Sequence, residues 1–239
     1  MKQTFFGLLL LLVGVSCAGD KNADANLHLS GTIKGLKKGT LYIQKFSDST
    51  LVMIDSIAID GKSTFESHLT IDSPEMLYLY LDKGVTNSID NSLFVFAEPG
   101  NMTVETTLES FYKNAIVTGS KNHDLYLEYK KINEPFMNIN LDLIQNELKA
   151  SKLEQKAKVD SIIKEKELMT KRRYLRVINF AFNTKEHEVS PYVLLYDVYG
   201  VNLKYLDSIN NSYPEKIKTS KYGKLLKELI EERRKEESN

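Results

Sequence analysis

The stretch LHLSGTIKGLKKGTLYIQ, residues 27–44, decides how the first half of the chain folds. Apolar and polar residues alternate over 27–33 and again over 41–44, the pattern of a strand with one buried face. Gly35 and Gly39 lie between the two runs and indicate a turn. We therefore expect two strands joined by a short connection.

Further strand-like runs continue this pattern to residue 118. They lie at 51–59, 65–71, 76–81, 93–96, 102–107 and 115–117, with turns rich in glycine, proline and aspartate between them. About eight short strands at roughly 8–12-residue spacing predict a sandwich or a barrel. The span matches an immunoglobulin-like sandwich in size. We expect an antiparallel β-sandwich over residues 27–118.

The second half of the chain, residues 119–239, changes to a helical period. Ser120 is the predicted N-cap of a helix that ends near Pro135, and residues 138–182 predict one long helix or a helical hairpin. Ser190-Pro191, residues 201–209 and Ser220 indicate three further helices. The predicted class is α+β, with an N-terminal antiparallel sandwich followed by an all-helical segment.

The first twenty-six residues carry an export signal and a tether. Lys2 precedes an apolar run over 5–15, which is too short for the roughly 20 residues of a membrane-spanning helix. Residues 1–16 therefore read as a signal peptide. Residues 17–26 are small and polar and predict a flexible tether.

Cys17, the only cysteine in the sequence, follows directly on this signal. The segment Gly14-Val15-Ser16-Cys17 resembles the lipobox of bacterial lipoproteins, in which the cysteine carries lipid. The alternative is a plain signal peptide with an incidental cysteine. We expect lipidation at Cys17 and a membrane-anchored protein of the cell envelope, at the outer membrane facing the periplasm or the cell surface.

Composition excludes several function classes. Thirty-two basic and thirty-two acidic residues balance, whereas a nucleic-acid-binding protein normally carries a basic excess. With Cys17 acylated, the rest of the chain has no thiol for disulfides, cysteine-based metal sites or thiol catalysis. We expect no nucleic-acid partner and no cofactor.

No catalytic or metal-binding motif stands out. None of the four histidines (His28, His68, His123 and His187) pairs with another at metal-ligand spacing. We therefore predict no catalytic, cofactor or metal residues. The enzymatic alternative is a hydrolase that uses scattered carboxylates such as Glu98 or Asp124. Tyr192, Tyr196 and Tyr199 follow helical spacing and predict a packing face, or else a stacking platform for a sugar or peptide.

Four aspartate-serine pairs resemble a short O-glycosylation signal of exported bacterial proteins. They place candidate glycans on Ser49, Ser56, Ser161 and Ser208. Aspartate-serine pairs also suit turns and helix caps, which is the simpler interpretation.

An ordered set of short motifs carries a wider resemblance: residues 31–36, 39–43, 60–65, 96–100 and 117–120. Their order resembles the uncharacterised N-terminal domain of Bacteroidota envelope lipoproteins, which often precedes a thioredoxin-like domain. The sequence has no Cys-x-x-Cys site, so the resemblance carries no thiol redox activity over to it. The signal, the turn-rich strand half and the lack of an assembled catalytic set lead us to expect a non-enzymatic binding or accessory module, with an envelope protein, peptide or glycan as partner. The alternative that the resemblance leaves is an accessory acting in trans on a separate thioredoxin-like oxidoreductase.

Overall fold

The computed structural model describes residues 24–47, 50–84, 88–198 and 200–238. The predicted signal peptide, Cys17, Ser49 and Tyr199 lie outside these residues. The described part is α+β, as predicted: eight strands in two sheets, followed by six α-helices. Among the described helices, none is both long and apolar enough to cross a bilayer.

Two four-stranded sheets form the sandwich. The strands are β1 (Leu27–Lys34), β2 (Lys38–Ser47), β3 (Thr50–Asp60), β4 (Thr64–Leu69), β5 (Glu75–Asp82), β6 (Ser92–Ala97), β7 (Gly100–Thr107) and β8 (Ile116–Thr118). The first sheet has the order β4-β1-β7-β8 and the second sheet the order β3-β2-β5-β6. β1 therefore lies inside the first sheet, away from its sequence neighbour β2.

One strand pair departs from the expected antiparallel arrangement. β1 and β7 run parallel, with Leu27 opposite Gly100 and Lys34 opposite Thr107. The reason is the path of the chain: after β1 it forms all four strands of the second sheet and β4 of the first sheet, and it then begins β7 beside the start of β1. A parallel pair needs such a long crossover.

Alternating apolar residues fill the space between the sheets. Leu27, Leu29 and Ile33 of β1 are buried, and the opposite face of the strand carries the half-buried residues His28, Ser30 and Thr32. Leu77, Leu79 and Leu81 of β5 meet them from the second sheet in the same hydrophobic cluster. Because strand side chains alternate in direction, one run of apolar positions supplies one face of the core.

Six helices follow: α1 (Lys121–Lys152), α2 (Lys156–Asn183), α3 (Val189–Asp197), α4 (Leu203–Ser212), α5 (Glu215–Lys218) and α6 (Lys221–Ser238). Ser120 caps α1 as predicted, because its side chain accepts a hydrogen bond from the His123 backbone N–H. Ser220 likewise accepts one from the Gly223 N–H at the start of α6.

Two helix boundaries differ from the prediction. α1 continues through Pro135, which is exposed together with Lys131, so water can solvate the carbonyl that proline leaves unbonded. α3 begins at Val189, before the predicted cap Ser190. The Ser190 hydroxyl is buried and donates to the Ala181 carbonyl at 2.7 Å, which removes it from a capping role.

α1 and α2 form the helical hairpin that the sequence left as one of two possibilities. The turn lies at 153–155, where Glu154 has a positive φ of 56°. At the far end of the hairpin Leu143, Ala150, Ile162 and Met169 form a small separate cluster. The near end packs on the second sheet together with α3 and α6.

The helices cover the β5–β6 half of the second sheet. Met76 and Phe96 point away from the sandwich interior and are 2% and 0% exposed, within a second hydrophobic cluster built mainly of helix residues. The Phe96 ring contacts Tyr126, Tyr192 and Tyr222 with centroid separations of 6.5, 5.4 and 5.8 Å. The molecule is therefore layered as first sheet, second sheet and helices.

Candidate functional site

A cleft of about 1070 Å³ opens between the end of the second sheet and the helices, and we call it the interlayer cleft. Three groups of residues line it: the end of β2 and the start of β5 (Lys45, Phe46, Ser47, Asp72, Ser73, Pro74, Glu75), the β6–β7 turn with the start of α1 (Glu98, Pro99, Lys121, Asn122), and the later helical region (His187, Glu188, Tyr196, Lys216, Thr219, Ser220, Lys221, Lys224, Leu225, Glu228).

The first turn of α1 is fixed against the free edge of β6. The Ser120 hydroxyl donates to the Phe96 carbonyl at 2.6 Å, and the Phe96 N–H donates to His123 Nδ1 at 3.2 Å. An edge strand normally leaves such groups unpaired. The contact covers the sheet edge at Phe96 and fixes the position of Asn122, which lies between Ser120 and His123 in the chain.

His123 is held neutral by this arrangement. Its Nδ1 accepts a hydrogen bond, so the ring proton is on Nε2. Burial lowers the pKa of His123 to about 4; nearby Asp124 raises it and Lys130 lowers it further. The Ser120 proton is directed to a carbonyl and not to the imidazole, so Ser120, His123 and Asp124 do not form a catalytic triad.

Two glutamates meet on the Asn122 side chain. Asn122 Nδ2 donates to Glu98 Oε1 at 2.5 Å and to Glu188 Oε2 at 3.0 Å, and Asn122 Oδ1 accepts from the Val189 N–H at 2.8 Å. Glu98 also accepts the backbone N–H groups of Asn122 and Lys121. It therefore lies at the positive end of α1, where a carboxylate is favoured.

Glu188 is the exceptional group of the cleft. Its side chain is 1% exposed, yet Oε1 accepts no hydrogen bond from any described residue. The nearest cation is the Lys216 ammonium at 3.7 Å, on a side chain that is 74% exposed. A buried carboxylate oxygen without a donor is costly, and it can be satisfied by a donor that enters the cleft.

Glu75 also lines the cleft, but its carboxylate differs from that of Glu188 in having ion-pair partners. It is 3% exposed, and both of its oxygens are paired: Oε1 with Lys45 Nζ at 2.8 Å and Oε2 with Lys221 Nζ. Lys221 also donates to the Phe46 carbonyl at 2.8 Å. Glu75 therefore joins α6 to the second sheet as a structural ion pair, and its oxygens are occupied.

The residues singled out from the sequence are divided between this cleft and other places. Glu98 lines it, whereas Asp124 is exposed and does not, so the two carboxylates of the hydrolase hypothesis do not meet. Sequence analysis missed Asn122 and Glu188. They lie 66 residues apart in the chain, and no local motif marks either.

The predicted tyrosine stripe is divided as well. Tyr192 packs in the aromatic cluster over Phe96, and burial raises its pKa. Tyr196 is 56% exposed and lines the cleft. The stripe is thus a packing face at Tyr192 and part of a cleft wall at Tyr196.

The three candidate glycosylation serines within the described residues are all exposed. Ser56 lies in β3, Ser161 in α2 and Ser208 in α4. Glycosylation at these positions stays a prediction.

Comparison with known proteins finds a match for the first half of the chain. Residues 27–126 match the family model described as a domain of unknown function, DUF4369. The match takes in all eight strands and extends to Tyr126 in α1, so it includes Glu98, Ser120, Asn122 and His123 but not Glu188. No curated protein matches the chain. Residues 27–126 are therefore similar to an uncharacterised domain, and in this chain the similarity continues past the sandwich into the first turns of α1.

Proposed function

We propose that the protein is an envelope lipoprotein, anchored through lipid on Cys17, that binds the amino group of a peptide in the interlayer cleft. The observation that carries the binding role is the buried Glu188 Oε1, which accepts no hydrogen bond within the described residues. The proposal that the protein is lipid-anchored rests on the predicted signal peptide and on the resemblance of Gly14-Val15-Ser16-Cys17 to a lipobox.

A ligand amine matches the chemistry around Glu188. Glu98 and Glu188 share one amide, which leaves Glu188 Oε1 as the unfilled acceptor. An ammonium group can donate three hydrogen bonds, and its positive charge would balance the negative charge of the buried carboxylate.

The rest of the cleft suits the remainder of a peptide. The exposed side chains of Lys121, Lys216 and Lys224 line it and offer partners to carboxylate groups. Phe46 and Tyr196 add aromatic surface. Its volume of about 1070 Å³ lies just above the range of roughly 300–1,000 Å³ for small-ligand pockets, which favours a ligand several residues long.

The ligand experiment uses the full chain and a library of unblocked hexapeptides, with the same library N-acetylated as the comparison. Equilibrium capture followed by mass spectrometry should enrich unblocked peptides only, because acetylation removes the ammonium. Glu188→Gln should abolish the enrichment. Glu186→Gln, an exposed neighbour outside the cleft, should leave it unchanged. No enrichment, or equal enrichment from both libraries, would overturn the binding proposal.

The anchoring experiment is separate. Mass spectrometry of the native amino terminus should find the chain beginning at Cys17 with acyl mass, and Cys17→Ser should move the protein to the soluble fraction. A native protein that begins at Met1 or carries no lipid would overturn this part alone.

The Glu98–Glu188 pair also favours a second candidate, a carboxylate-dependent hydrolase, since two carboxyl groups near one substrate can divide acid and base roles. Cleavage of the captured peptides, lost in both Glu98→Gln and Glu188→Gln, would support hydrolysis. Recovery of intact peptides supports binding alone.

A further inference from the structure

A cluster of three side chains lies on the outer face of the first sheet, away from the interlayer cleft. His28 of β1 and His68 of β4 are direct register partners across antiparallel strands. Their rings stack with centroids 4.5 Å apart and planes inclined by 4°. Glu66 lies two residues before His68 on the same strand and therefore on the same face.

Glu66 brings one oxygen to both rings. Its Oε1 lies 2.7 Å from His28 Nε2 and 3.2 Å from His68 Nε2. One potential ligand atom from each residue lies within 4.8 Å of the other two. The three side chains are partly exposed, so an ion can reach them from solvent.

We propose that His28, Glu66 and His68 form a binding site for a divalent transition metal, with Zn²⁺ as the best fit. Imidazole nitrogen with one carboxylate oxygen is a ligand set that zinc uses. Ligands about 2.0–2.1 Å from a tetrahedral zinc lie roughly 3.3–3.4 Å apart. The distances of 2.7 and 3.2 Å approach this value, and exposed side chains can open by a few tenths of an ångström.

The backbone supports such a site. Six register pairs join β1 to β4, from Leu27–Leu69 to Thr32–Thr64, so the strands hold both histidines at a fixed separation. Cross-strand partners have Cβ atoms about 4.5–5.5 Å apart, so both imidazoles can reach one ion once the stacked rings rotate to direct their nitrogens at it. Three protein ligands leave the fourth position of zinc open to water or to a donor from outside the chain.

The test is calorimetric titration of Zn²⁺ into the full chain, stripped of metal with EDTA and carrying no polyhistidine tag. We expect one equivalent to bind. His28→Ala and His68→Ala should each lower the affinity at least about tenfold, since even residues that only orient ligands commonly contribute 10–100-fold. Glu66→Gln should also weaken binding. Glu105→Gln, an exposed glutamate on β7 of the same sheet, is the matched control and should not.

Two readouts separate metal binding from a merely structural role of the cluster. Zn²⁺ should raise the Tm of the native chain and of Glu105→Gln but not of the double variant His28→Ala/His68→Ala. Co²⁺ in place of Zn²⁺ should give the visible absorption of a four-coordinate ion. Equal Zn²⁺ affinity in the native chain and the double variant, or no binding to either, would overturn the proposal.

Discussion

The two sheets of the sandwich share one core but differ in what covers their outer faces. The outer face of the first sheet carries polar side chains such as Ser30, Glu66 and Glu105, which are exposed or half-buried. The β5–β6 half of the second sheet instead presents Met76 and Phe96 to the helices. The second sheet therefore contributes side chains to two hydrophobic clusters, whereas the first sheet contributes to one. Changes to the two outer faces should have correspondingly different effects.

Removing the aromatic centre of the covered face should have the largest effect. Phe96→Ala should lower the free energy of unfolding by about 3–5 kcal/mol, because a fully buried ring leaves a cavity between the second sheet and the helices. Phe182→Ala is the control with the same chemistry, since Phe182 is 48% exposed. Urea unfolding measures both. Equal losses would contradict the layered arrangement.

Acid should weaken the covered face through His123. The folded pKa of about 4 lies below the unfolded value of about 6.5, so the unfolded chain binds more protons between these pH values. This contribution is present above pH 6.5 and is lost as pH falls toward 4, a change of order 3 kcal/mol. Unfolding free energies at pH 7.5, 6 and 5 check it. His123→Gln should show a flatter dependence over that range, and an unchanged slope would disprove the assignment.

A substitution of Glu188, between the sheet and the helices, should have a smaller effect, and it should raise the free energy of unfolding instead of lowering it. Glu188→Gln should raise the free energy of unfolding by about 1–2 kcal/mol, because it removes a buried charge whose Oε1 has no donor and keeps an acceptor for Asn122. Thermal unfolding of this variant beside Glu186→Gln measures the difference. A destabilised Glu188→Gln would mean that the carboxylate is structural.

The outer face of the first sheet should respond least. In metal-free protein, Glu105→Gln should change the free energy of unfolding by no more than about 0.5 kcal/mol, as is usual for substitutions at exposed surface positions. Urea unfolding in EDTA checks this. A loss above about 1 kcal/mol would indicate that something packs on this face.

The strands and their order along the chain could be predicted because alternation is a local signal. The runs MLYLYL at 76–81 and LFVFA at 93–97 contain few polar residues, and such continuous apolar runs are typical of strands buried on both faces. That signal distinguishes the covered sheet from the alternating β1 and β4.

Which elements meet could not be predicted, and both sites depend on it. His28 and His68 face each other only because β1 pairs with β4 instead of with β2. Asn122 meets Glu98 across 24 residues and Glu188 across 66. Sequence periodicity assigns each of these residues to an element, but it contains no information on which elements meet.

The position of β1 inside the first sheet would have a mechanical consequence if force were applied to the chain through its amino terminus. Among the described strands β1 comes first in the chain, and it lies between β4 and β7 with six register pairs on one side and eight on the other. A pull along β1 from that end loads both ladders at once, in shear. The strand would have to slide free of two neighbours together, so the fold resists tension where a terminal edge strand would peel away one bond at a time.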